Sequence, residues 1–162
     1  MFLSDKDIFK AVEEWRITIS DFDEKRMNPV SYDILLGNNF ILTDSNKTAF
    51  IDPHMGVQPH TQEIIVPDGE SFILHPWLSL LWVSKDYFGS DEYMIYLSWK
   101  SSLARIWLLV HNTASIVNPW HYLRIAFELC NLNSVPIILR PWMKIAQILF
   151  ANISCKPEID YK

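Results

Sequence analysis

A chain of 162 residues is about one domain's worth and can bury a single sizeable core. Its net charge is −5 with only 14 Lys+Arg, which leaves no broad electrostatic footprint for nucleic acid or an anionic membrane. Two cysteines, Cys130 and Cys155, exclude a disulfide framework, and no CxxC or Cys/His cluster points to zinc.

Ser4, followed by Asp7 and an apolar rhythm through Ile8 and Val12, predicts an N-capped helix over 4–14. The start MFLSDKDIF has no basic stretch ahead of an apolar core, so no signal peptide is expected, and the two cysteines with no disulfide framework set the expectation of a reduced, cytosolic location. Residues 20–33 are polar and read as a loop leading into a strand at YDILLG. Short β-type runs then follow at 40–43, 49–52, 63–66, 71–74, 78–84, 93–98, 104–111, 124–131, 136–139 and 144–153. The segment 53–62 is expected to be an exposed loop. The longest apolar run, FILHPWLSLLWV, is broken by His and Pro and is too short to span a membrane. Many strands without a βαβ rhythm predict one mostly-β domain, a sandwich or barrel. The final CKPEIDYK reads as a surface tail.

Glycine usage is anomalous: four in 162 is about 2.5%, against a usual ~7%. There are seven tryptophans, and three of them follow proline, at HPW (75–77), NPW (118–120) and RPW (140–142). Proline suits the first corner of a type II turn, and the second corner needs φ > 0, which suits glycine. Tryptophan stands in that slot three times.

Two stretches could carry chemistry. Lys100, Ser101, Ser102 and Arg105 place two hydroxyls and two cations within six positions, enough to cradle phosphate oxygens; a solvated polar turn is the other reading. In RIAFELCN, Ile125, Phe127 and Leu129 share one strand face and Arg124, Ala126, Glu128 and Cys130 the other. Glu128 is either a solvent-facing acid or a pocketed general base with a raised pKa. The five histidines lack metal-ligand spacing, and no Gly-rich phosphate loop occurs. Asp33 and Asp52 read as cap or turn acids.

The segments LSDKDI, NPVSYDILLG (28–37), KSSLARIWLLVHNTA (100–114), NPWHYLRIAFEL (118–129) and VPIILRPWMKIAQILF (135–150) occur in that order along nearly the whole chain. Together they resemble the deoxycytidine triphosphate (dCTP) deaminases, a branch of the trimeric deoxyuridine triphosphatase (dUTPase) fold. The resemblance implies a mostly-β barrel of distorted jelly-roll type, assembled as a homotrimer with active sites between subunits. It implies zinc-free hydrolysis of dCTP to dUTP and ammonia, with magnesium accompanying the triphosphate. By motif, Glu128 matches the catalytic glutamate, Ser101 and Arg105 match residues that orient the water and contact substrate, and the Ala114 carbonyl matches one that holds the water. Ser102 matches a phosphate contact. Lys100, Asn118, Arg124 and Gln147 are the remaining expected substrate contacts, and Asp33 resembles an acid near the magnesium.

Three departures from the family pattern bear on this expectation. Asn118 stands where many members have an aspartate, the group that activates water for attack on phosphorus in the related triphosphatases; an amide cannot take up that proton. Leu123 replaces a common glycine. The family usually continues with a Tyr-, Lys-, Gly- and Gln-rich tail over the phosphates, whereas this sequence stops at Lys162.

Trp77, Trp120 and Trp142 fall on the glycines of the family's Pro-Gly turns, and Trp99 and Trp107 on glycines flanking its Ser-Ser motif. Trp15 and Trp82 fall where glycine is common. All seven are therefore expected to be glycines in the living cell, UGA codons read there as glycine and rendered here as tryptophan. Divergence to a tryptophan-rich paralogue is the alternative. On the first reading, Trp→Gly at 99, 120 and 142 improves both stability and turnover.

Overall fold

The structure is a computed structural model and describes residues 1–159. Helix α1, Asp5–Glu13, matches the prediction. Its N-cap Ser4 Oγ accepts from the Asp7 backbone N–H, and Asp5 and Asp7 sit favourably in the first turn. Its buried face carries Ile8 and Ala11.

Strands β1 (Thr18–Ile19) and β2 (Met27–Asn28) are short. They flank a 3-10 turn, Glu24–Arg26, inside the segment predicted as loop. β3, Ser31–Thr43, is a single thirteen-residue strand joining two runs that the sequence presents separately. It changes partners midway, pairing with β12 through Tyr32–Leu35 and with β4 through Asn39–Thr43. Gly37 sits at the crossing with β6, where a Cβ would lie 2.8 Å from the Val83 carbonyl oxygen. That contact, not φ, requires glycine there.

β4 (Thr61–Ile65), β5 (Phe72–Leu74), β6 (Ser79–Gly89) and β7 (Tyr93–Trp99) follow. A one-turn helix, α2 (Ser101–Ala104), precedes β8 (Leu108–Leu109) and β9 (Ile116–Val117). β10 (Leu123–Asn131), β11 (Ile137–Leu139) and β12 (Lys144–Asn152) complete the series. The main path of the large sheet is β8-β10-β6-β3-β12-β7-β9, with β1, β2 and β4 attached; β5 and β11 form a second, two-stranded sheet. All pairings are antiparallel. The mostly-β expectation holds, and the curled sheet wraps a core that includes Tyr32, Phe40, Phe88, Phe127 and Phe150.

Two predicted strands depart from expectation. Residues 49–52 are irregular, with one isolated bridge from Asp52 to Val57. Their Phe50 and Ile51 are exposed, so no second sheet face stabilises them. The run 104–111 reduces to Leu108–Leu109, because the Ser-Ser segment closes into α2 and uses the residues before it. Of the predicted surface tail, residues 153–159 carry no strand, and 160–162 lie outside the described residues.

The tryptophans divide into two groups. Trp15, Trp77, Trp107, Trp120 and Trp142 have φ between 59° and 67°, the left-handed region. Trp82 and Trp99 lie in strands β6 and β7, outside that group. Trp82 is fully buried, its ring 4.8 Å from Phe40 and its indole N–H 3.0 Å from the Gly37 carbonyl. The expectation that all seven mark glycine positions is therefore supported by backbone conformation at five.

Candidate active site

Strand β10 alternates as the sequence predicts: Ile125, Phe127 and Leu129 are buried, while Arg124 and Ala126 are exposed and Glu128 and Cys130 half-buried on the other face. Glu128 Oε2 accepts a hydrogen bond from the Asn112 backbone N–H at 2.9 Å. It opens onto a cleft of about 330 Å³ lined also by Thr43, Ser79, Leu80, Leu81, Leu109 and Asn112. The carboxylate is thus neither free on the surface nor paired with a cation in the described contacts. His111 lies nearby: burial lowers its imidazole pKa, opposed by the Glu128 carboxylate, which favours the neutral ring. Its Nδ1 is buried without a hydrogen-bond partner, and its ring meets Trp99 edge-on at 5.4 Å. Burial also pushes the Cys130 thiol up.

The second cluster gathers around Lys100, the residue that precedes α2. Asp33, at the start of β3, has a side chain only 4% exposed. Lys100 Nζ lies 2.5 Å from its Oδ1 and Lys144 Nζ 2.9 Å from its Oδ2; Asn28 Nδ2 donates to Oδ1 at 3.2 Å. Burial acts to raise the Asp33 carboxyl pKa, but the two lysines outweigh it and hold the group below the usual carboxylate range. Gln147 accepts from Ser31 Oγ at 2.9 Å and donates to the Trp99 carbonyl at 3.2 Å. Asp33 and Gln147, in register across β3 and β12, therefore grip the chain just before Ser101. Both Asp33 oxygens are taken by ammonium groups. A magnesium ion there would have to displace Lys100 and Lys144, so the residues present do not fit it as a ligand.

Ser101, Ser102 and Arg105 are exposed on and after α2, and Ala114 and Asn118 are exposed in later loops. None of these lines the cleft beside Glu128. Arg124 is used within the chain: its Nη1 donates to the Ser84 and Lys85 carbonyls, and its guanidinium lies 5.2 Å from the Tyr87 ring centroid. One chain thus brings Lys100, Asp33 and Gln147 together and leaves Glu128 in a separate cleft. Sequence reasoning missed Asn112, His111 and Lys144. The first two lie inside the quoted 100–114 motif, but a backbone donor leaves no signature in residue type.

A larger groove of about 580 Å³ lies between Arg16, Asp91, Glu92, Tyr93 and the 152–156 segment. Its size does not make it the site, because Arg16 is already engaged by Glu14, Glu92 and the Tyr93 hydroxyl.

Removal of the Asp33 charge has a defined pH signature. Because its native pKa is depressed, its contribution to stability is complete above the unfolded value of about 3.9 and is lost as pH falls through the lower native value. Asp33→Asn is expected to cost on the order of 1 kcal/mol at neutral pH, less than for a fully buried pair because the Lys100 and Lys144 side chains are 24% and 46% exposed. The gap should close below pH ~4, as measured by denaturation midpoints across pH; a gap independent of pH would contradict this.

Known proteins resemble this chain over nearly its full length. The "dCTP deaminase-like" family description matches residues 2–153. A "dCTP deaminase, dUMP-forming" from Corynebacterium jeikeium (strain K411) is 35% identical over 162 residues, covering 99% of this chain and 86% of that protein. The crystal structure of 2'-deoxycytidine 5'-triphosphate deaminase from Agrobacterium tumefaciens superposes with a TM-score of 0.69 at 14% identity. It covers 92% of this chain, which spans about half (47%) of that longer chain. A Staphylococcus bacteriophage 80alpha dUTPase with dUPNHPP superposes with a TM-score of 0.52 at 10% identity, over 90% of this chain and 87% of that one. A match over nearly the full length, on the fold shared with dUTPases, leads to one conclusion: the chain belongs to the dCTP deaminase family of enzymes.

Proposed function

We propose that the chain hydrolyses the exocyclic amine of dCTP, with Glu128 as the general base. The observation that carries this reading is a half-buried carboxylate fixed by the Asn112 N–H in a cleft also lined by Thr43 and Ser79, in a chain of this family. Glu128 takes a proton from water as its oxygen bonds to C4. That proton then passes to the C4 amine, the C–N bond breaks with its electron pair going to nitrogen and ammonia leaves, while the added hydroxyl gives up its remaining proton to ring N3 as the C4 carbonyl forms. Ser101, Arg105 and the Ala114 carbonyl orient the water and the ring. Ser102, Lys100, Asn118, Arg124 and Gln147 complete the nucleotide contacts. Asp33 acts through Lys100, so it is a positioning residue in this scheme, and Gln147 also holds the Trp99 carbonyl.

Glu128's cleft and the α2 cluster are separate within one chain, which supports sites completed by a second copy in a homotrimer. Exposed Ile73 and Ile138, paired on β5 and β11, and Leu81 beside Glu128 supply apolar surface for such contacts. Mixing inactive Glu128→Gln and inactive Ser101→Ala subunits is expected to restore part of the activity. No recovery after subunit exchange would place each site within a single chain. A cytosolic setting accompanies this reading, supported by two free cysteines.

The product depends on position 118. Asn118 has no carboxylate to activate water at phosphorus, which favours dUTP and ammonia. The dUMP-forming relative favours a second reading, in which the triphosphate is cleaved as well. Incubation with dCTP decides between them: ammonia without pyrophosphate supports the first, and equal release of both supports the second. Binding of dCTP with neither product would leave a non-catalytic nucleotide-binding protein and overturn both.

A further inference from the structure

We infer that Trp15, Trp77, Trp107, Trp120 and Trp142 stand where the protein made in its own cell carries glycine, through UGA codons read as glycine. Among the described residues, six non-glycine positions have φ in the left-handed region, and five of them are tryptophan; Thr113 is the sixth. That region is costly for any residue with a Cβ and above all for a bulky one.

The local hydrogen bonds show that these conformations are built into the fold. At the end of α1, the Trp15 N–H bonds to the Val12 carbonyl (3.1 Å) and the Arg16 N–H to the Ala11 carbonyl (2.8 Å). With Glu14 as C-cap, this is a Schellman motif with Trp15 at the position that glycine normally fills. Trp77, Trp120 and Trp142 each follow proline at the third position of a turn. These turns close by Leu78 N–H to His75 (3.2 Å), His121 N–H to Asn118 (3.2 Å) and Met143 N–H to Arg140 (3.4 Å). Each of the three tryptophan N–H groups also bonds to a distant carbonyl, of Asn131, Ser90 and Leu36 respectively, so the turns are fixed by the sheet. Gly69 occupies the same slot in the turn closed by Glu70 N–H to Pro67, with φ of 85°. Trp107 ends the turn after α2 through its N–H to Ala104, and its carbonyl accepts from Leu132.

The side chains do not repay this strain by packing. Trp15, Trp77 and Trp107 are 86%, 73% and 64% exposed. Trp142 is exposed as well, its indole N–H reaching Asp68, and Trp120 lies against Lys156. Trp82 shows the contrast: strand backbone, full burial and a satisfied indole. Tryptophan arising at arbitrary positions would have no reason to concentrate at left-handed corners. Conversion of glycine codons would, because such corners favour glycine, and a single reassigned codon leaves untouched the glycines that other codons encode, here Gly37, Gly56, Gly69 and Gly89.

Two measurements test the inference: the five codons in the source genome, and peptide mapping by mass spectrometry of the protein isolated from its own cells. The expected result is UGA at all five, with every covering peptide lighter by one tryptophan-to-glycine difference per site. UGG at any of the five, or tryptophan in any of those peptides, overturns it.

Discussion

The triple variant Trp77→Gly, Trp120→Gly, Trp142→Gly will be more stable than the chain as written. Each tryptophan is held at φ of 63° to 67°, a conformation that costs about 1–3 kcal/mol for a residue with a side chain. Glycine gives back part of this, about 0.5–1 kcal/mol, through the extra freedom of the unfolded chain. The net gain is on the order of 3 kcal/mol for three sites, or roughly 6–12 °C in Tm for a domain of this size. Trp→Ala at the same positions is the informative control. It removes the same exposed rings but keeps a Cβ at positive φ, so it should recover little of the gain. Equal stabilisation by alanine and glycine would assign the cost to the indoles and not to the backbone. Trp99→Gly should not share the gain, because Trp99 sits in extended β7, and this departs from the expectation formed on the sequence.

Glu128→Gln will abolish deamination while leaving the fold intact. The amide keeps an oxygen to accept from the Asn112 N–H, so the 2.9 Å contact and the cleft survive and Tm should stay within about 1 °C. What is lost is the capacity to take and return a proton, worth typically 10²–10⁴ in rate. A fall in kcat by roughly that factor with dCTP affinity retained is the expected outcome. Residual kcat within a few fold of the parent would remove Glu128 from the mechanism and return it to the role of a strand acid.

Some of this was legible from residue patterns alone. The α1 cap, the two faces of β10, the turn slots after Pro76, Pro119 and Pro141, and the ordered motifs are all local: each depends on spacing along a few residues and on backbone sterics. Local propensity misjudged 49–52 and 104–111. An apolar run becomes a strand only where a partner strand and a second face are available, and here a loop and the α2 turn intervened.

Other features were decided only in three dimensions. β3 needs glycine at position 37 because β6 crosses so closely that a Cβ there would lie 2.8 Å from the Val83 carbonyl oxygen, a constraint set by residues far apart in the chain. Asp33 reads in the sequence as a turn acid or an acid near magnesium; burial between Lys100 and Lys144 makes it a counter-ion. The seven tryptophans look alike as letters, yet φ separates five from two, since a dihedral angle depends on where the sheet anchors each turn. By itself the sequence determined the mostly-β class and the family. The tertiary structure decided which charges meet, which tryptophans are strained, and that Glu128 and the serine cluster do not share one cleft. The physical reason is that pairing, burial and desolvation belong to contacts across the fold and not to neighbours along the chain.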